Sequence, residues 1–224
     1  MVVKSEDSEL EDLKQLLESL RFLEKYLLFV SIREVSLYYF GWAIAVILGG
    51  MASGFIWEVF QDKTLSGVLT AALWICIAFI IGFLSRRAFQ HRKIYILSRL
   101  PPEKRREYSA RLRKVNRNMA LVWGALLLSL YFVCFPLLSK VLPEAKASSL
   151  IILLFVALGN LVIYYLTRRE RIPMAVGISL LAGSPIVLVL PIDYVYVYLM
   201  LLIFVVYMLA GIAYLNKADR VLGF

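Results

Sequence analysis

The sequence predicts an all-α polytopic membrane protein: a cytoplasmic amphipathic helix, then a six-helix transmembrane bundle, with both termini cytoplasmic. Three observations carry this. Hydrophobic residues make up 61% of the chain against 18% charged ones, and they gather in uncharged runs of about twenty, the length that crosses a hydrocarbon core. One long basic segment, Arg86 to Arg117, separates two of these runs. When the connecting segments are assigned alternately to two sides, only Lys63, Lys140 and Lys146 of the 25 Lys and Arg residues fall opposite that basic segment. Cytoplasmic loops hold the Lys/Arg excess in membrane proteins, so the asymmetry places both termini inside and requires an even number of spans. It also argues against nucleic acid as a partner: the +9 formal charge sits between apolar spans and not on one soluble surface.

Residues 1–34 read as the amphipathic helix. Ser8 followed by Glu11 is a capping box. Leu13, Leu16, Leu20, Leu23, Leu27 and Val30 then recur at alternating steps of three and four, with Lys14, Glu18, Arg21 and Lys25 on other faces. Such a stripe suits a helix lying on the membrane or on its own basic loop, or a coiled-coil contact with a partner. The acidic opening (Glu6, Asp7, Glu9, Glu11, Asp12) is the reverse of a signal-peptide n-region, so the first span is expected to be an uncleaved insertion signal.

Six spans follow, at Val35–Trp57 and Leu65–Ser85 (within residues 35–85), then Met119–Ser139, Ala147–Thr167, Pro173–Ile192 and Tyr194–Leu215 (within 118–224, with a short cytoplasmic tail). Tyr38, Tyr39, Trp42, Trp123, Tyr164 and Tyr165 are expected at the inner membrane edge, and Trp57 and Tyr194 at the outer. Between spans two and three, residues 86–117 are expected to form a basic cytoplasmic helical hairpin that turns at Pro101-Pro102. Its attraction for the acidic first segment is expected to favour docking of one on the other.

The spans contain no Asp, Glu, Lys, Arg or His. Intramembrane ionisable groups mark proton relays, ion coupling and voltage sensing, and a single chain without them is not expected to do that chemistry. A lone histidine, His91, excludes bis-histidine haem ligation and a multi-histidine zinc site within one subunit. Cys76 and Cys134 lie at different depths and read as packing residues. Glu58 and Asp62 read as a solvated turn. Phosphate-cradling glycine loops, a serine elbow and HExxH are absent from the sequence. The expectation is a non-enzymatic protein with no catalytic, cofactor-binding or metal-binding residues and no cofactor.

The remaining candidates are positional. Asn160 is the most polar side chain in the spans, and Gly183-Ser184-Pro185 interrupts span five. Asn160, Ser184 and Pro185 are therefore candidates for lining a substrate path or for contact between helices. Small residues at four-residue spacing, Gly50 with Gly54 and Ser179 with Gly183, are candidates for helix packing, within one chain or in a homo-oligomer. Lys104, Arg105, Arg106, Arg111, Arg113 and Lys114 are candidates for contacting a cytoplasmic protein or anionic lipid.

In layout the chain is similar to the permease subunits of ABC-2-type exporters, which have an amphipathic entry helix, six spans and a cytoplasmic segment between spans two and three that meets an ATPase. That resemblance implies a permease-like membrane subunit with an ATPase-like partner. It departs at the link between spans five and six, where the family carries re-entrant helices and this chain has little more than Asp193. The alternative is a scaffold or lipid-organising protein with its basic loop on anionic headgroups.

Overall fold

The structure, a computed structural model, describes residues 6–60, 62–98, 100–166 and 170–222, and the side chains among them apart from those of 6–9, 12, 84–89, 91, 92, 95, 98, 111, 112, 115, 116, 119, 120, 131 and 222. The described residues are all-helical apart from turns and short links, with no strand, and six helices are long and apolar enough to cross a membrane.

Helix α1 (Glu6–Val59) joins the leucine-striped segment and the first span without a break. No proline or glycine falls between Glu6 and Phe40, so the backbone meets no reason to stop. At 1.5 Å per residue its 54 residues make a rod of about 80 Å. Asp62 starts α2 (Lys63–Ser98) by accepting the Thr64 and Leu65 N–H groups at 2.7 and 3.2 Å. This N-cap turns the expected solvated turn into a defined one. α2 ends just before Leu100 and Pro101, and α3 (Pro102–Leu128) begins with proline in its first turn, where the missing N–H costs no ladder bond.

α3 continues into a π-helical turn at Ser129–Cys134, in which the Phe135 N–H reaches back to the Leu130 carbonyl, and then into the short α4 (Phe135–Leu138). Pro136 has no N–H to offer the α ladder, and the wider turn sits directly before it. α5 (Glu144–Leu166) follows. Span five is split into α6 (Arg171–Gly183) and α7 (Ile186–Val189) by the Ser184-Pro185 turn, and α8 (Ile192–Leu222) closes the chain.

α8 is the central helix. It packs along α1 and also meets α5, α6 and α7, while α2 lies on α1 and α3 lies on α5. Between α2 and α3 there is no extended packing among the described residues, so each span meets the bundle through a different helix. α1 and α8 are antiparallel: Leu28 to Val35 adjoin Tyr214 to Val221, Tyr39 stacks on Tyr214, and Gly50 faces Met200. The core follows this seam, with Tyr39, Ala43, Leu153, Ala157, Val176, Leu180, Val195 and Ala210 among its buried residues.

Both charged segments leave from one end of the bundle. α8 finishes level with Leu28 of α1, so the preceding residues of α1 extend about 30 Å beyond it at the helical rise. Trp123 of α3 packs on Gly159 and Phe155 of α5, and α5 ends seven residues after Gly159. The part of α3 from Pro102 to near Val115 therefore projects about 20 Å past α5.

The leucine face of α1 is uncovered, from Leu10 (73% exposed) through Leu13, Leu16 and Leu20 (50%) to Leu23. The expected docking of this segment on the basic hairpin does not occur within the chain among the described residues. The exposed leucines lie on the part of α1 beyond the end of α8, and α3 reaches the bundle through α5 and not through α1.

Candidate functional site

The most polar point inside the bundle is Asn160. It is 2% exposed, and its amide joins three helices. Nδ2 donates to the Val156 carbonyl at 2.8 Å on its own helix and to the Tyr207 hydroxyl of α8 at 3.0 Å. Oδ1 accepts the Tyr39 hydroxyl of α1 at 3.3 Å, a long and therefore weaker bond. A buried amide without partners costs several kcal/mol (about 2–7, depending on the reference state); here both ends are satisfied from neighbouring helices. Tyr39 also packs its ring against Tyr207 (5.3 Å, tilted) and Tyr214 (5.4 Å, stacked). The sequence placed Tyr39 in an interfacial belt. It is 3% exposed and belongs to the core, where Asn160 supplies its hydroxyl with an acceptor.

A second polar locus surrounds the broken span. The Leu181 carbonyl, freed by Pro185, accepts Ser184 Oγ at 2.8 Å and the Ser184 N–H at 3.2 Å. The Gly183 carbonyl accepts the Tyr198 hydroxyl at 2.8 Å. The break thus carries its own hydrogen bonds. Pro185 is exposed and starts α7. Lys146 of α5 donates to the Leu188 carbonyl at 2.7 Å, at the open C-terminal end of α7, where a cation is favoured.

The small-residue positions divide. A Cβ on Gly50 would strike the Met200 sulfur of α8, whereas one on Gly54 would meet open space. Gly49 faces Trp74 and Ile77 of α2, and the Trp74 indole donates to Ser53 Oγ at 3.1 Å. In α6, Gly183 is buried against Leu202 and Tyr198, while Ser179 is exposed. At Gly177 the α6 backbone lies close to α5: an added Cβ would lie 2.9 Å from the Ala157 carbonyl oxygen. Gly159 and Gly177, both at helix contacts, have no small-residue partner at four-residue spacing to signal them.

On the projecting arm, Lys104, Arg105, Arg106, Arg113 and Lys114 are exposed, and Arg105 Nε donates to the Leu100 carbonyl at 2.9 Å, tying the helix start to the turn. The side chains of Arg111 and His91 lie outside the described residues. Cys76 is exposed, Cys134 is half-buried, and both are free thiols. Glu170, at the start of α6, is a further polar group near this end of the bundle; it accepts the Tyr214 hydroxyl at 2.7 Å. Its signal was hidden because it falls in a three-cation loop that reads as an orientation marker.

Comparison with known proteins finds no matching family model, no matching curated protein and no matching solved structure.

Proposed function

We propose that this protein is a non-enzymatic, permease-like subunit of the cell membrane that couples a cytoplasmic protein to its helix bundle. The reading rests above all on one observation. α1 is a single helix whose first part presents an uncovered leucine face and whose second part carries Tyr39 and Ala43 in the core. A partner bound to the first part acts on a rod that is continuous with the bundle. An apolar face this large, outside the spans, is a feature of interaction surfaces.

The basic segment of residues 86–117 is the second contact. Its cations stand on the part of α3 that extends beyond the bundle, which favours a protein over the headgroups beneath. The Lys/Arg asymmetry assigns this end, with both chain termini, to the cytoplasm. An ATPase-like partner follows from the layout shared with ABC-2-type permeases, and an apolar or lipid-like substrate suits spans without ionisable groups.

Reversing the charges of Lys104, Arg105 and Arg106 tests the reading. The exposed positions tolerate the change, so the bundle stays folded while the partner is lost from the purified protein. Full retention of the partner by the folded variant refutes it.

A further inference from the structure

We propose that α1 pairs with the α1 of a second copy of this chain, in a parallel coiled coil that runs from the cytoplasmic arm into the membrane. The leucine stripe does not stop where the first span begins. Continued from Leu13, Leu16, Leu20 and Leu23 at alternating steps of three and four, the same register reaches Leu27, Val30, Glu34, Leu37, Gly41, Ile44, Leu48, Met51 and Phe55. α1 is unbroken over that length, so these residues form one seam. None of them is buried. Leu37, Ile44, Leu48, Met51 and Phe55 are 52–65% exposed, and a Cβ on Gly41 would meet open space. The buried residues of α1 (Ser31, Ile32, Ser36, Tyr39, Ala43 and Gly49) all lie off the seam.

The bundle leaves this side of α1 free. Tyr39 and Gly50 face α8, and Gly49 and Ser53 face α2. With 3.6 residues per turn, Leu37, Ile44, Leu48, Met51 and Phe55 fall together on the third side. The nine exposed seam residues, at roughly 100 Å² each, offer about 900 Å² per copy, against about 800 Å² per partner in a stable interface.

Two features name the occupant. Leu13, Leu16, Leu20 and Leu23 stand beyond the end of α8, whereas Leu37 to Phe55 lie within the first span. Lipid tails cover the second set and not the first; a soluble protein covers the first and not the second. A helix that passes from water into the bilayer at the same level covers both. A second α1 does so, because two copies inserted in one orientation are related by a two-fold axis along the membrane normal. The period agrees. A 3.5-residue repeat drifts by about 20° per heptad on a straight helix, so a partner follows it only by winding left-handed, as a helix with the same repeat does. Before Leu13 the register places Glu9 and Glu6, where like charges would oppose each other and end the seam. Glu34, the one ionisable residue inside it, is half-buried and engaged within its own chain. The pairing goes beyond the contact with a cytoplasmic protein, which then meets two arms side by side through Leu10 and Phe22, exposed off the seam.

Cysteine cross-linking of the full-length protein in its native membrane tests the proposal, in a background with Cys76→Ala and Cys134→Ala. The seam variants are Leu16→Cys and Leu23→Cys on the arm and Ile44→Cys and Met51→Cys in the span. Lys14→Cys on the arm and Ile75→Cys and Phe79→Cys on α2 are the controls, and all seven positions are exposed, so the variants keep the fold. Oxidation with copper phenanthroline is expected to give covalent dimer at all four seam positions, about tenfold or more above the controls, since facing seam residues alone come within disulfide reach. Independently, mass photometry of the unmodified protein in native lipid nanodiscs is expected to count two copies, and one copy after Leu16, Leu20 and Leu23 are replaced together by serine. Cross-linking on the arm but not in the span, equal cross-linking at the controls, or a single copy of the unmodified protein overturns the proposal. Neither readout involves a cytoplasmic protein, so failure here is distinct from failure of the permease-like reading.

Discussion

The amide nitrogen of Asn160 donates to the Tyr207 hydroxyl at 3.0 Å, joining α5 to α8 in the interior of the bundle. Hydrogen bonds between helices in membranes contribute about 0.6 kcal/mol on average and up to about 1.7. A double-mutant cycle with Asn160→Ala and Tyr207→Phe is therefore expected to give a coupling near 1 kcal/mol (roughly 0.5–1.7). Reversible unfolding in bicelles measures it, and strictly additive effects remove this bond as a contributor.

Much of the architecture is legible in the sequence because it is written locally. Six uncharged runs mark the six apolar helices, and Pro185 marks the break in span five. The polar centre is not local. Tyr39 and Tyr207 reach Asn160 across 121 and 47 residues. Asn160 stood out by its polarity, but its partners did not: Tyr207 and Tyr214, seven residues apart on α8, read equally well as a membrane-edge belt. The fusion of the leucine segment with the first span was open to view, since nothing in between breaks a helix. What the stripe touches was not, because a face without a covering element in the chain leaves no intramolecular pattern to read.

Gly50 and Gly54 share a motif but not an environment. Gly50→Ala drives a methyl into Met200 and is expected to destabilise by about 1–3 kcal/mol, the range for overpacking. Gly54→Ala meets open space and is expected to lie within about 0.5 kcal/mol of the parent, as at unencumbered surface positions. Equal effects in the same unfolding assay contradict the packing described for α1 and α8.

Gly159 lets the Trp123 ring lie on α5. Gly159→Val is expected to lift α3 from α5 and move Trp123 into a different environment, read as a shift in tryptophan emission against a background in which the other three tryptophans are replaced by phenylalanine. Trp123→Ala in the Gly159→Val background relieves the clash and restores part of the lost stability. Absence of rescue shows that the strain lies elsewhere.

Asp62 accepts two backbone N–H groups at the start of α2. Asp62→Ala is expected to cost about 0.5–2 kcal/mol, the range for a lost N-cap, and Asp62→Asn to preserve most of that contribution. Hydrogen exchange at Thr64 and Leu65 reports the loss directly: faster exchange in the alanine variant supports the cap, and unchanged exchange contradicts it.

Coupling through α1 requires the uncovered leucine face. Replacing Leu16, Leu20 and Leu23 together by serine leaves the core seam untouched, since all three are exposed, and is expected to release the partner without lowering Tm. Loss of the folded bundle in this variant instead assigns the stripe a structural role within the protein.

The most direct measurement is quantitative mass spectrometry of the tagged protein purified from its native membrane in mild detergent. The account predicts a soluble cytoplasmic protein, ATPase-like, recovered in fixed stoichiometry with the chain and lost with the leucine replacements. Recovery of the folded protein with lipids alone contradicts it.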